Sequence, residues 1–289
     1  MKITKARRIG FCFGVKRAVM MAEEALRKYG EISSLGSIIH NKQVVEALSA
    51  KGLKAVNSAR DIDGGTVVIS SHGISPKVAG ELRRKGLRII DTTCPFVLNA
   101  QRIAKRLGEE GYSVVIVGDA NHPEVKALVD FAPSGTVVVG SRAEAEALTF
   151  RKDARVSILS QTTQSTANFL DVVGVVLGKR PKELRVFNTI CNDAEERQRL
   201  ARDLASKVDL MLVIGGRHSA NTKRLCEVCK KVLNSTHLIE TEGEVEKAWF
   251  KKVRTVGITS GASTPDWLVA RVVRATRQPR RTQDSQKNP

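Results

Sequence analysis

RIIDTTCP at residues 88–95 and RVFNTICN at residues 185–192 are one pattern written twice: a short apolar run, then Asp or Asn, Thr, one residue and Cys. A third cysteine, Cys12 in GFCFGV, joins Cys94 and Cys191 through spacing. A Gly stands 24 residues beyond each of them, at Gly36, Gly118 and Gly215. Each Gly opens a polar loop, GSIIHN, GDANHPE or GGRHSAN. A further polar turn follows in every copy: SHGIS at 71–75, QTTQS at 161–165 and GASTP at 261–265. Self-similarity over so long a period marks repeated structural units. Three such units around a common axis would each deliver one thiol and two polar loops, and could bring three sulfurs to one point.

Working outward, short β-branched runs alternate with helical patterns. Strands are predicted at TVVIS (66–70), LRIID (87–91), SVVIVG (113–118), TVVVG (136–140), RVSILS (155–160), LRVFN (184–188), LMLVIG (210–215) and RTVGITS (254–260). Between them, KRAVMMAEEALRKYG, VVEALSAKG, AQRIAKRLGEEG, ERQRLARDLASK and NTKRLCEVCKKVL carry helical periodicity, several ending in Gly. Near-continuous apolar strands separated by helices predict an α/β fold with small, mostly parallel sheets. The division that follows places one unit at 13–94 and a second at 95–191. A third is built from 1–12 and 192–276, so that Cys12 can reach the centre. The basic tail from 277 to 289, RQPRRTQDSQKNP, lacks periodicity and is expected to be disordered.

The composition, 42% hydrophobic and 27% charged over 289 residues, is that of a folded protein. No apolar run approaches the roughly 20 residues that span a bilayer, and MKITKARRIGFCFGV lacks a signal-peptide core. A cytoplasmic protein away from membranes is expected. The net charge of +18 raises nucleic acid as a partner. Against it, the cations are scattered through amphipathic segments and aromatics make up only 4%. A cationic surface equally steers an acidic protein or an anionic substrate.

Five cysteines, an odd number at wide spacings, argue against a disulfide framework. Cys12, Cys94 and Cys191 each neighbour Gly, Pro or Asn at a strand-to-helix turn, where a thiolate is favoured and can act as a soft ligand. One such cysteine alone would read as a buried thiol; the shared offset makes the three a metal set. Three thiolates leave a coordination position open and suit an iron–sulfur cluster better than hydrolytic zinc. Cys226 and Cys229 fall on one apolar helix face and are expected to be core. His40, His72, His122, Thr162, Ser219, Asn221 and Ser263 lie in the polar loops and together form an expected phosphate or diphosphate cradle. His218 and His237 lack that pattern and are expected to be structural. Glu124, in NHPEV, is expected in a loop. Near an anion and a metal it would be a proton donor; at a helix start it would only answer the dipole.

With these motifs in place, the chain resembles the 4-hydroxy-3-methylbut-2-enyl diphosphate reductase (IspH/LytB) family. The resemblance runs from GFCFGV through IHN, SHG, TTCP, HPEV, QTT, TIC and SAN to SGASTPD, nearly everything but the tail. It implies a pseudo-threefold trefoil of three α/β domains around one [4Fe–4S] cluster per chain. Cys12, Cys94 and Cys191 would be the ligands, and one iron would have no cysteine. His40, His72, His122, Thr162, Ser219, Ala220, Asn221 and Ser263 would line the substrate site, and Glu124 would donate the proton. The implied reaction, last in the non-mevalonate isoprenoid pathway, removes an allylic hydroxyl with two electrons and two protons, giving isopentenyl and dimethylallyl diphosphate. Acidic ferredoxin or flavodoxin would supply the electrons, and a monomer or weak dimer is expected. Ala220 and Ala194 stand where many members carry a hydroxyl. Another trefoil iron–sulfur enzyme, of the quinolinate synthase kind, a zinc hydrolase and a basic nucleic-acid-binding protein are the alternatives.

Overall fold

The structure, a computed structural model, describes residues 1–277. A short strand opens the chain, β1 (Lys2–Lys5). The first repeat runs α1 (Phe13–Tyr29), β2 (Ile32–Leu35), α2 (Lys42–Ser49), β3 (Leu53–Val56), β4 (Thr66–Ile69), α3 (Pro76–Arg84) and β5 (Arg88–Asp91). The second runs α4 (Pro95–Glu109), β6 (Ser113–Val117), α5 (Pro123–Phe131), β7 (Val137–Val139), α6 (Arg142–Glu146), β8 (Arg155–Ser160), α7 (Thr166–Gly178) and β9 (Glu183–Phe187). The third has α8 (Asn192–Ala205), β10 (Leu210–Ile214), α9 (Ala220–Lys230), β11 (Thr236–Ile239), β12 (Thr255–Ser260) and α10 (Asp266–Arg277).

The strands form three four-stranded sheets, β3-β2-β4-β5, β7-β6-β8-β9 and β11-β10-β12-β1. Every pairing is parallel. Numbered within its own repeat, each sheet has the same order, 2-1-3-4, with β1 serving as the fourth strand of the last. By contact the chain gathers into two compact units. One comprises Met1–Cys12, His40–Lys42 and the residues from Glu196 on, and holds the sheet containing β1. The other comprises Phe13–Ile39 and Gln43–Glu195 and holds the remaining two sheets.

Burial on both faces explains the central strands. Side chains alternate across a strand. Val115 and Val117 pack towards Phe169, Val172 and Val176 of α7. Val114 and Ile116 pack towards Ala100, Ala104 and Leu107 of α4 and Val125 and Leu128 of α5. In β10, Leu210, Leu212 and Ile214 face Leu268, Val269 and Val272 of α10, while Met211 and Val213 face Ala201, Leu225, Cys226 and Cys229. Cys226 and Cys229 are therefore core, and burial pushes the Cys229 thiol up to about 12.

β1, β2, β3 and β11 and the helices α3, α5, α6, α7 and α10 go beyond the segments the periodicity predicts. β1, β3 and β11 are sheet edges of four residues each, too short and too polar to register. The added helices are announced by their ends rather than by periodicity. Pro opens α3 and α5, and Ser75, Ser141 and Ser165 cap α3, α6 and α7 by accepting from backbone N–H groups. Arg277 closes α10, and residues 278–289 of the expected tail lie outside the described residues. Among the described residues, no helix is long and apolar enough to cross a membrane.

Candidate active site

In an open parallel sheet, neighbouring strands whose connections run in opposite directions leave a crevice beyond their carboxyl ends. The 2-1-3-4 order puts that point between the first and third strands of each repeat. The polar loops fall there: His40–Asn41 after β2, His122 after β6 and Ser219 after β10 follow first strands. His72, Thr162 and Ser263 follow third strands, β4, β8 and β12. The cysteines follow the fourth: Cys94 is the N-cap of α4, while Cys12 and Cys191 directly precede α1 and α8.

One backbone hydrogen bond recurs at all three. The N–H of Cys12 donates to Ala262 O at 3.0 Å, that of Cys94 to Ser71 O at 3.0 Å, and that of Cys191 to Thr162 O at 2.8 Å. Each cysteine is thus pinned to the polar turn after the third strand of its own sheet. The glycines 24 residues on repeat a second bond: Gly36, Gly118 and Gly215 donate to Val56, Val139 and Ile239, the last residues of the second strands. Close packing requires Gly at two of these turns. A Cβ would lie 2.9 Å from Val125 at Gly118, and 2.7 and 2.8 Å from the hydroxyls of Thr222 and Thr264 at Gly215, whose φ is +149°.

Cys12, Cys94 and Cys191 are half-buried, unlike Cys226 and Cys229. Burial raises the Cys191 thiol pKa, against the pull of the Ala194 and Asp193 N–H groups. The helix-terminus effect expected there is outweighed by desolvation. Ala194 is itself buried, so its N–H, rather than a side-chain hydroxyl, serves the sulfur.

Glu124 lies in the first turn of α5, not in a loop, and is only 2% exposed. Its carboxylate accepts the Thr162 N–H at 2.6 Å and the Thr162 hydroxyl at 2.8 Å. Burial raises its pKa, and those two bonds pull the other way. A dipole-serving acid at a helix start sits in water; this one does not. The Thr162 hydroxyl proton is committed to Glu124, so Thr162 belongs first to the acid and only then to the cradle.

His122 caps α5: its Nδ1 accepts the Glu124 N–H at 3.2 Å, which leaves the ring proton on Nε2. The His72 ring meets the His122 ring edge to face, centroids 5.4 Å apart. In the other unit, burial, and then the charge of His218, hold His40 below the ordinary imidazole range. His218, expected to be structural, is thus an electrostatic neighbour of the cradle. His237 stacks on Trp249 at 3.9 Å. The Ser263 hydroxyl donates to His40 O at 3.1 Å, and a Cβ on Gly216 would fall 2.8 Å from that oxygen. Ser219 caps α9 by accepting the Thr222 N–H, which leaves its own proton to donate. Ala220 is the first residue of α9, and the amide Nδ2 of Asn221, buried, has no hydrogen-bond partner among the described residues. Asn41, 2% exposed beside His40 in GSIIHN, is a buried polar residue of the same loop that the motif reading does not single out. Its signal was a polar residue between Ile38–Ile39 and a helix start.

Three parallel α/β repeats of one strand order, each bringing a half-buried cysteine and two polar turns to the carboxyl edge of its sheet, define an α/β enzyme of repeated build. Over residues 3–277 the chain matches the model of the LytB protein family, and it belongs to that family. It is 48% identical over 278 residues to the 4-hydroxy-3-methylbut-2-enyl diphosphate reductase of Geobacter metallireducens, covering 96% of this chain and 98% of that one. It is 49% identical over 273 residues to the enzyme of the same name from Geobacter sulfurreducens, covering 94% and 96%. The solved E-1-hydroxy-2-methyl-but-2-enyl-4-diphosphate reductase of Plasmodium falciparum superposes with a TM-score of 0.91 at 28% identity, over 96% of this chain and 88% of that one. A second solved reductase, described as the terminal enzyme of the non-mevalonate pathway, gives 0.68 at 40% identity over 96% and 99%.

Proposed function

We propose that this chain reduces (E)-4-hydroxy-3-methylbut-2-enyl diphosphate to isopentenyl and dimethylallyl diphosphate. The observation that carries the reading is Glu124, a carboxyl buried at a polar sheet edge and held by Thr162 on one side of the His122 cap. Relatives nearly half identical along almost the whole chain bear the reductase name, which favours this reading over the quinolinate synthase, zinc and nucleic-acid alternatives.

The donor set fits an iron–sulfur cluster. Three half-exposed thiols stand at strand-to-helix turns, and the only other cysteines are shut in the core. Cys12, Cys94 and Cys191 would hold one [4Fe–4S] cluster, which when bound supplies electrons and a Lewis-acidic iron. The protein's own residues bind the anion and manage protons. His122, protonated at Nε2, donates to a phosphate oxygen, as do His72 and His40. Ser219 offers its free hydroxyl proton, and Ser263 reads the anion from the turn after β12. Asn221 brings a buried amide donor that lacks an acceptor, and the Ala220 N–H opens the positive end of α9. Burial disfavours the charge and raises the Glu124 pKa, which favours the protonated carboxyl a proton donor needs. Glu124 gives that proton to the departing hydroxyl oxygen, which leaves as water, and the Thr162 N–H and hydroxyl hold the carboxylate left behind.

The same proposal takes 13–94, 95–191 and 1–12 with 192–276 as the domains, and a cytoplasmic monomer or weak dimer fed by acidic ferredoxin or flavodoxin. Anaerobic purification followed by an assay with the allylic diphosphate, dithionite and methyl viologen tests it. The expected result is a brown protein with about four irons per chain that releases both isomeric products. A colourless, iron-free chain without turnover would remove the reading.

A further inference from the structure

We infer that the exposed face of α1 beginning at Phe13, with Phe96 at the start of α4, is the docking surface for a small acidic one-electron carrier protein. The inference rests on the reductase reading, which requires two electrons per turnover. Phe13 is 68% exposed, the most of any large apolar side chain among the described residues; Met20 is 56% and Phe96 38% exposed. Phe13, Lys16 and Met20 are spaced i, i+3 and i+7 and share one helix face. Phe13 follows Cys12 directly, and Phe96 stands two residues past Cys94. Arg17 on α1 donates to the carbonyl of Thr93 at 3.2 Å, which ties the start of this helix to the turn carrying Cys94.

The first charges on both elements are cations, although Lys105 and Arg106 of α4 pair with Glu109 and Glu110 further along. No acidic residue precedes Glu23 in the chain, and α4 carries Arg102, Lys105 and Arg106 before its first acid, Glu109. The helix after Cys191 is the opposite, with Asp193 and Glu195 in its first turn. Two of the three cysteine-bearing turns are thus followed by an exposed aromatic on a helix whose first charges are cations, and the third by carboxylates. Exposed aromatics with a cationic surround make the centre and rim of a protein interface, and the sign of the rim selects an acidic partner. Each carrier would give up one electron and leave oxidised by one. Two carriers serve one turnover, and the two protons come from solvent, one of them by way of Glu124.

The test uses the iron-loaded enzyme, an acidic flavodoxin as the carrier, and dithionite with methyl viologen as a reductant small enough to need no docking. Lys16→Glu, Phe13→Ala and the double variant Lys16→Glu/Arg102→Glu are compared with the parent. The flavodoxin Kd, measured by surface plasmon resonance, should weaken about tenfold or more on charge reversal and lose much of its salt dependence. Iron content and viologen-driven turnover should stay at the parent level. Unchanged flavodoxin Kd in all three variants, with viologen turnover intact, overturns the docking surface alone. Absence of viologen turnover in the parent overturns the reductase reading and this inference with it. Should the variants instead dissociate a dimer in sedimentation, with Kd unmoved, the face belongs to a second copy of the chain and the inference is wrong.

Discussion

Glu124 is where two electrostatic effects of opposite sign meet on one side chain. Desolvation raises its pKa, while the Thr162 N–H and hydroxyl stabilise the carboxylate, and desolvation wins. The folded chain therefore holds this proton more tightly than the unfolded chain does. Stability from this group is fully present below the unfolded glutamate pKa and is lost as pH climbs through the higher folded value. Glu124→Gln cannot ionise and escapes that loss. Its melting temperature relative to the parent should rise from acidic to neutral pH, followed by circular dichroism across a pH series. Turnover should meanwhile fall by about 10²-fold or more with iron content unchanged, since no thiol is touched. Thr162→Val removes a donor that favours the carboxylate, so the acid titrates later and the alkaline limb of kcat moves to higher pH. A Glu124→Gln enzyme with undiminished kcat would take the residue out of the chemistry.

At the scale of elements, legibility followed burial. VVIV at 114–117 and LMLVI at 210–214 could be read as strands because both faces are covered, so every position is apolar. KITK and LKAV could not, being edges with half their side chains in water, nor could THLI, an edge whose buried ends flank the half-buried His237 and Leu238. ISSL is a central strand and still escaped, because Ser34, fully buried, satisfies itself by donating to Gly36 O. The cysteine set was legible for a physical reason: the 24-residue interval is one helix plus one strand, α1 with β2, α4 with β6 and α8 with β10. The burial of Glu124 was not, because no pattern of residue types tells an inward-facing acid on the first turn of a helix from a solvated one. The C-x-x-C in α9 is the element whose reading is easiest to check. Both thiols pack against Met211, Val213 and Leu225. Cys226→Ala with Cys229→Ala should leave iron per chain unchanged and cost about 1–2 kcal/mol in a denaturant titration, judged from roughly 0.8 kcal/mol per buried methylene equivalent. Loss of iron in that variant would mean that the wrong thiols were chosen.

The whole chain behaves as a circle cut at one place. In the first repeat the third strand leads through α3 to β5 and then Cys94; in the second, β8 leads through α7 to β9 and Cys191. The third repeat needs the same continuation after α10, and finds it at the other end of the chain, where β1 leads to Cys12. The pairing is complete: Lys2 to Lys5 lie opposite Thr255 to Ile258, Ala6 donates to Ile258 O, and Gly10 donates to the Ser260 hydroxyl across 250 residues. A sheet finished by its most distant segment closes late in folding, because a long loop must be ordered before its contacts repay it. Moving the cut should therefore be tolerated. A permutant that ends α10 at Arg277, joins it to Lys2 through about four residues, as αβ connections of this fold class allow, and opens between Lys152 and Asp153 restores to the third repeat the continuity of the other two. It should give the parent's circular dichroism spectrum and bind the same iron per chain, but refold no faster after dilution from denaturant, because the distant closure passes from β1 and β12 to β6 and β8. A permutant that is soluble but short of iron would show that Cys12 depends on the free chain start rather than on β12, and the circular account of the fold would fail there.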